Sequence, residues 1–158
     1  MAIYTTNSAE ETVALGRALA RKMPKQAVVL LIGNLGAGKT TLAKGIVSEL
    51  TGTDPDEISS PTFTLIHEYG AGVYHIDLYR LDSLPQVATL GIEEIFERPS
   101  IVLIEWGERF LDWMPPERIE IRLEAIPTET HERRRIEVTE QSLVSSKPAS
   151  FEKAEKAR

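Results

Sequence analysis

The sequence predicts an α/β fold with a mostly parallel central sheet, antiparallel edge strands and flanking helices. Two uninterrupted apolar runs, 27–32 and 101–104, are rich in β-branched residues, as is typical of strands buried on both faces of a parallel sheet. Residues 119–123 and 136–138 instead alternate apolar with charged side chains, which predicts half-exposed strands at one side of the sheet. The 158 residues, 42% of them hydrophobic, suffice for one domain with its own core.

The first half of the chain contains sequence signals for the beginning and the end of two helices. Ser8 stands three residues before Glu11, the spacing of a capping box, and apolar residues then recur at helical spacing. We therefore expect a helix near 9–22. A second helix is predicted over 39–50, between a glycine-rich turn and Gly52.

The middle of the chain predicts a hairpin followed by two short helices. Residues that favour strands fill 62–69 and 73–77, on either side of a Gly-Ala-Gly turn. Short helices are predicted over 84–90 and 92–96, around a single glycine.

Composition excludes several classes of protein. The chain has no cysteine, which rules out disulfide scaffolds, thiolate zinc sites and cysteine nucleophiles. The first residues lack the basic start and apolar stretch of a signal peptide, and the longest apolar run is far too short to cross a membrane. We expect a cytoplasmic protein without a membrane partner.

The net charge of −6 argues against tight binding of the chain alone to nucleic acid, because that affinity comes largely from cationic side chains.

One motif carries clear chemistry. Residues 33–40, GNLGAGKT, fit the pattern GxxxxGK[ST] between a predicted buried strand and a helix. Glycines let the backbone N–H groups turn inward around phosphate oxygens, and the helix that follows adds the positive end of its dipole. Lys39 is expected to reach the β- and γ-phosphates and the Thr40 hydroxyl to bind Mg²⁺. The fold is therefore predicted to be a single P-loop NTPase domain over 1–144, followed by a polar, flexible tail over 145–158.

Acidic residues at strand ends are candidates for the metal and for catalysis. Asp77 and Glu105 each end a predicted strand, where an acid commonly assists the Mg²⁺ of a phosphate loop. Thr62 lies in a Ser-Pro-Thr segment at the place of a switch that senses the γ-phosphate; an ordinary proline turn is the equally weighted alternative. His75 is predicted to pack on its strand rather than to bind a ligand.

The guanine signature NKxD, the switch motif DxxG and the dinucleotide motif GxGxxG do not occur in the sequence, which favours adenine as the base of the nucleotide.

Five segments in order resemble one family, the TsaE ATPases of bacterial tRNA threonylcarbamoyladenosine biosynthesis. They cover most of the chain between residues 6 and 140 and read GNLGAGKTT (33–41), SPTFTL (60–65), YHIDLYRL (74–81), LGIEE (90–94) and LIEWGER (103–109). The resemblance implies an ATP- and Mg²⁺-binding protein that hydrolyses ATP when it engages the TsaB and TsaD proteins. It also implies a role in modifying the adenosine beside the anticodon of tRNAs that read codons beginning with A, with tRNA contacted only through TsaD.

The resemblance also assigns roles by motif. Lys39 and Thr40 match the phosphate lysine and the magnesium hydroxyl, and Glu105 matches a second magnesium ligand. Asp77 matches an acid needed for hydrolysis, either as a base that positions water or through metal-bound water. The other residues that it assigns to the nucleotide are Asn34, Leu35, Gly36, Ala37, Gly38, Thr41, Thr62, Trp106, Arg134 and Thr6. Position 34 departs from the common family pattern, since Asn34 stands where many members have aspartate.

Two other functions fit the same loop. A small-molecule kinase would share the phosphate site, but the chain has no obvious arginine-rich lid insertion. A nucleotide-gated interaction module would bind ATP and dock a partner without useful hydrolysis. Replacing Asp77 separates this module from an ATPase, because only the ATPase has turnover to lose.

Overall fold

The computed structural model describes residues 1–70 and 72–141, the side chain of Gln141 excepted, as a seven-stranded mixed sheet with helices on both faces. The predicted tail over 145–158 lies outside the described residues. The strands are β1 (Ala2–Thr6), β2 (Ala27–Ile32), β3 (Ile66–Tyr69), β4 (Val73–Asp77), β5 (Ile101–Glu105), β6 (Arg118–Pro127) and β7 (Glu132–Gln141). The helices are α1 (Ala9–Arg21), α2 (Lys39–Thr51), α3 (Leu84–Ala88) and α4 (Ile92–Phe96), with 3-10 turns at Pro55–Glu57 and Gly107–Trp113.

The sheet order is β1-β7-β6-β2-β5-β4-β3. The four neighbours β6, β2, β5 and β4 run parallel, whereas β1, β7 and β3 pair antiparallel at the two sides. This arrangement confirms the predicted fold class. In the part of the chain that the structure describes, no helix has the length and apolar character needed to cross a bilayer.

Two separate apolar layers explain why β2 is apolar at every position. Val29 and Leu31 face the layer that α1 and α2 cover, whereas Val28 and Leu30 face the layer under α3, α4 and the second 3-10 turn. Every residue of β2 after Ala27 is buried. A strand with helices on both faces has no side for polar residues, so its sequence loses the period-two alternation.

Helices α1 and α2 approach each other closely through a pair of glycines. A Cβ atom on Gly45 would lie 2.9 Å from the carbonyl carbon of Val13, and one on Gly16 would lie 3.1 Å from the Cα of Gly45. Both contacts are with backbone, so a side chain at either position forces the helices apart. The start of α1 follows its predicted cap, because the Ser8 hydroxyl accepts a hydrogen bond from the Glu11 N–H at 3.0 Å.

One predicted strand needs correction, and one strand was missed. The strand expected over 62–69 begins only at Ile66, because Leu65 has a φ of +70° and its N–H bonds the carbonyl of Pro61 at 2.7 Å. A turn therefore occupies residues 62–64, although the hairpin between β3 and β4 is present. Strand β1 was not predicted. It exists because residues 2–6 pair with β7, a contact far away in the sequence.

Candidate functional site

The glycine-rich loop between β2 and α2 forms the base of the candidate site. Gly36 and Gly38 have φ values of +81° and +107°, which residues with a side chain rarely adopt. Gly38 is also the N-cap of α2 and provides no side chain to cap it. The first N–H groups of this 13-residue helix therefore point toward the loop, an arrangement that suits an anion.

Lys39, the first residue of α2, places a buried amine in this loop. Its side chain is covered, with only 5% of the residue exposed. The Nζ atom donates a hydrogen bond to the Gly33 carbonyl at 2.6 Å and lies 3.7 Å from the centre of a Trp106 ring. Burial lowers the pKa of Lys39, and the carboxylates of Glu105 and Glu108 act in the opposite direction. A ligand with negative phosphate oxygens would relieve the cost of keeping this cation buried.

Thr40 and Glu105 bring two oxygen ligands together at the ends of β2 and β5. The Thr40 hydroxyl donates to Glu105 Oε2 at 3.3 Å, and His75 Nε2 lies 2.7 Å from the same oxygen. His75 is fully buried on β4, as the packing prediction requires, but it also orients this carboxylate. Its role is therefore more than packing.

The donor set at this place fits Mg²⁺. Among the described residues, no group of three or more acidic or histidine side chains converges to form a metal cage of protein atoms. Mg²⁺ is usually held by one or two protein oxygens together with waters and substrate phosphates, rather than by such a cage. One hydroxyl and one carboxylate beside a phosphate-type loop match that preference. Thr40 and Glu105 are the residues that would hold the ion.

Asp77, the last residue of β4, is buried, and its carboxylate accepts three hydrogen bonds. Ser60 Oγ donates to its Oδ2 atom at 2.8 Å, and Thr62 Oγ1 donates to the same atom at 3.3 Å. On the other side, the Tyr79 N–H donates to Oδ1 at 2.9 Å. The predicted switch segment is therefore tied to the acid through Ser60 and Thr62.

These side chains meet in one cavity of about 410 Å³ at the carboxyl edge of the parallel strands. The register of the sheet explains their meeting, since Asp77 pairs with Glu105 and Glu105 pairs with Leu31. Larger clefts of about 670 and 660 Å³ lie elsewhere. Neither of these two collects a lysine, a threonine hydroxyl and two strand-end carboxylates, so the smaller cavity is the candidate site.

Aromatic and arginine side chains form the walls of the cavity. Trp106 and Tyr79 lie with their ring centres 5.1 Å apart, and Trp106 has a φ of +68°. A non-glycine residue in this conformation is uncommon and is concentrated at functional sites. Arg134 also lines the cavity, and its Nε donates to the Ala37 carbonyl at 2.9 Å. A Cβ on Gly38 would lie 2.7 Å from the Arg134 Cδ, so this glycine also makes room for the arginine.

Most of the predicted site residues line the cavity. They are Leu35, Gly36, Gly38, Lys39, Thr40, Thr41, Thr62, Asp77, Glu105, Trp106 and Arg134. Asn34 and Ala37 shape the loop instead, because the Ala37 N–H bonds the Asn34 carbonyl at 3.0 Å. Thr6 is not among the lining residues. Its buried hydroxyl is bonded to that of Thr12 at 2.7 Å, and its contact with adenine stays a prediction.

Sequence reasoning missed three residues at or beside the site. Ser60 and Tyr79 both hold Asp77, and each lies within a recognisable segment, SPTFTL or YHIDLYRL, that signals its place but not its contact. Glu108 follows Trp106 closely, and its buried Oε1 atom has no hydrogen-bond partner among the residues that the structure describes. Burial raises the pKa of Glu108, although Lys39 and Arg109 act to lower it.

The part of the chain that matches a known family includes every residue that lines the candidate site. A sequence model of one family, described as threonylcarbamoyl adenosine biosynthesis protein TsaE, matches residues 6–136. The tRNA threonylcarbamoyladenosine biosynthesis protein TsaE of Rickettsia conorii is 41% identical over 127 residues, which span 78% of this chain and 71% of that protein. The Bacillus subtilis protein of the same name is 38% identical over 121 residues, or 75% and 74% of the two chains. The crystal structure of Bacillus subtilis YdiB matches with a TM-score of 0.70 and 31% identity, covering 89% of this chain and 86% of YdiB.

Proposed function

Because the chain belongs to the TsaE family, we propose that it is a Mg²⁺-dependent ATPase and an accessory subunit in threonylcarbamoyladenosine modification of tRNA. Its reaction would be ATP + H₂O to ADP and phosphate. The tRNAs concerned are those that read codons beginning with A. One observation carries the proposal: Lys39, Thr40, Asp77 and Glu105 come from three separate elements and meet in one cavity.

Binding of the nucleotide would depend on the loop and on its lysine. The N–H groups at the start of α2 and the Lys39 ammonium face the place where phosphate oxygens would lie, and Arg134 flanks the loop from β7. Trp106 packs over the Lys39 amine and keeps that side of the cavity apolar. When bound by Thr40 and Glu105, Mg²⁺ would neutralise charge on the phosphate oxygens.

Hydrolysis requires that a water oxygen attack the γ-phosphorus while the bond to the bridging oxygen of ADP breaks. Asp77 is the residue suited to orient that water and accept its proton, because its carboxylate is buried at the cavity and fixed by three donors. The Thr62 hydroxyl donates to Oδ2 of this carboxylate, as the Ser60 hydroxyl does. A movement of the 60–64 segment would therefore alter the acid directly, which gives a partner protein a means to raise turnover.

The partners expected are the TsaB and TsaD proteins, with tRNA reached through TsaD. The net charge of −6 supports an indirect role toward tRNA, because an acidic protein lacks the cations that neutralise phosphates. Weak hydrolysis by the chain alone and a marked rise with TsaB–TsaD are the expected behaviour.

The test is phosphate release by the purified chain with ATP and Mg²⁺, with and without TsaB–TsaD. Asp77→Asn should keep nucleotide binding and lose most of the stimulated turnover, and Arg98→Met, remote from the cavity, serves as the matched control. Confirmed ATP binding without any stimulated turnover would contradict the proposal and favour a nucleotide-gated module. A phosphorylated small product in place of free phosphate would favour a kinase.

A further inference from the structure

Arg109 lies outside the cavity lining but makes an unusual set of contacts beside it. Its Nη2 atom lies within hydrogen-bond distance of three backbone carbonyls, those of Leu78 at 2.7 Å, Tyr79 at 2.7 Å and Leu81 at 2.8 Å. All three belong to the loop that follows β4 directly after Asp77. A guanidinium that collects several carbonyls fixes a loop more firmly than a single neutral hydrogen bond does.

The contacts reach Asp77 through one peptide group. The Leu78 carbonyl, which Arg109 holds, and the Tyr79 N–H, which donates to Asp77 Oδ1 at 2.9 Å, belong to the same planar peptide unit. Because the unit is rigid, holding its oxygen from one side sets the direction of its N–H on the other. The neighbouring Leu78 N–H donates to the Glu105 carbonyl at 3.0 Å, which ties the same loop to the end of β5.

Arg109 also braces the aromatic wall of the cavity. Its guanidinium carbon lies 5.8 Å from the ring centre of Tyr79 and 5.7 Å from that of Trp106. These distances are within the range of cation–π attraction. The same side chain thus contacts the wall of the site and the peptide that orients its acid.

From this geometry we infer that Arg109 is a positioning residue for hydrolysis, acting on the Asp77 carboxylate through the Leu78–Tyr79 peptide. The inference rests on the proposed ATPase function. Arg109 does not line the cavity and its Nη2 is bonded to the three carbonyls, so we place it outside the groups that touch the reacting atoms. Its loss should impair the chemical step while leaving the nucleotide-binding loop intact.

The test compares Arg109→Met with wild type in the full chain, with TsaB–TsaD, ATP and Mg²⁺. We expect kcat to fall by about 10- to 100-fold, the cost of misplacing a catalytic group, while ATP affinity changes by less than about two-fold. Arg109→Lys should restore much of kcat, because the lysine ammonium is also a cationic donor and carries three N–H groups that can bond backbone carbonyls. Arg98→Met is the matched control, since Arg98 holds Tyr74 by a 2.8 Å bond away from Asp77 and should leave kcat unchanged.

Two further measurements separate positioning from general support of the fold. In an Asp77→Asn background, Arg109→Met should cause no additional loss of kcat, because both changes act on one group. Amide hydrogen exchange at Tyr79, followed by NMR without nucleotide, should be faster in Arg109→Met than in wild type. The inference would be overturned by additive losses of kcat in the double variant, by a loss of ATP affinity in Arg109→Met as large as its loss of kcat, or by unchanged exchange at Tyr79. If wild type releases no phosphate with its partners, the proposed function fails, and exchange at Tyr79 still decides whether Arg109 holds this peptide.

Discussion

Replacing Gly45 by alanine tests the close approach of α1 and α2. The added Cβ would meet the carbonyl group of Val13, with the carbonyl carbon 2.9 Å away and the oxygen closer still, and the Arg17 nitrogen at 3.1 Å. Backbone atoms cannot turn aside as a side chain can, so the helices must separate. Overpacking of this kind costs about 3 kcal/mol at the upper end of the usual range. Alanine gains about 1 kcal/mol over glycine in a helix interior, which leaves a net loss near 2 kcal/mol.

Urea unfolding followed by circular dichroism measures this loss directly. For a domain of this size, a loss of about 2 kcal/mol corresponds to a fall in Tm of roughly 4–8 °C. Ala14→Gly is the matched control, because Ala14 is exposed on α1 and its change reports helix propensity without the contact between helices. A Gly45→Ala protein as stable as wild type, or more stable, would refute the claim that the two backbones are in contact.

Three further predictions concern the site. Lys39→Ala should weaken ATP binding by at least about 100-fold in equilibrium titrations, because it removes the buried cation that faces the phosphates; retained affinity would contradict the binding scheme. His75→Phe should raise the Mg²⁺ concentration needed for half-maximal nucleotide binding by about 10-fold, since Glu105 loses its 2.7 Å partner, and an unchanged midpoint would show that His75 only packs. Burial raises the pKa of Glu108 above its ordinary value of 4.5, so the native state loses stability as pH rises through the raised value. Glu108→Gln should therefore be more stable than wild type in urea at pH 7, with the difference disappearing below pH 4.5; a constant difference across this range would contradict the assigned cause.

Patterns of adjacent residues were sufficient to predict the parallel centre of the sheet and the glycine-rich loop. The apolar run 27–32 and the motif at 33–40 each specify their own structure, because burial on two faces and the glycine turn are encoded in adjacent residues. The acids Asp77 and Glu105 were predictable for the same reason, since each directly ends an apolar strand.

Contacts between distant segments were not predictable. Strand β1 depends on β7 for its pairing; residues 2–6, AIYTT, are rich in strand-forming types, but nothing adjacent to them indicates that distant partner. The turn over 62–64 overrides a good strand sequence, because Ser60 and Thr62 are bonded to Asp77 from another strand. Arg109 lies in the recognisable segment LIEWGER, but its contacts gave no signal, since its three acceptors are backbone carbonyls about 30 positions earlier and any residue type presents a carbonyl.

The contact between Arg134 and the Ala37 carbonyl has a practical consequence for how the protein is handled. Arg134 is held in place on β7 partly because its backbone lies opposite Thr6 of β1 in the antiparallel ladder. The first residues of the chain therefore help to hold the glycine-rich loop, although they lie far from it in sequence. When the N-terminal strand is shortened or altered, Thr6 is therefore the position to keep, because it lies opposite Arg134, whereas Ala2 lies opposite Val138 at the other end of the ladder.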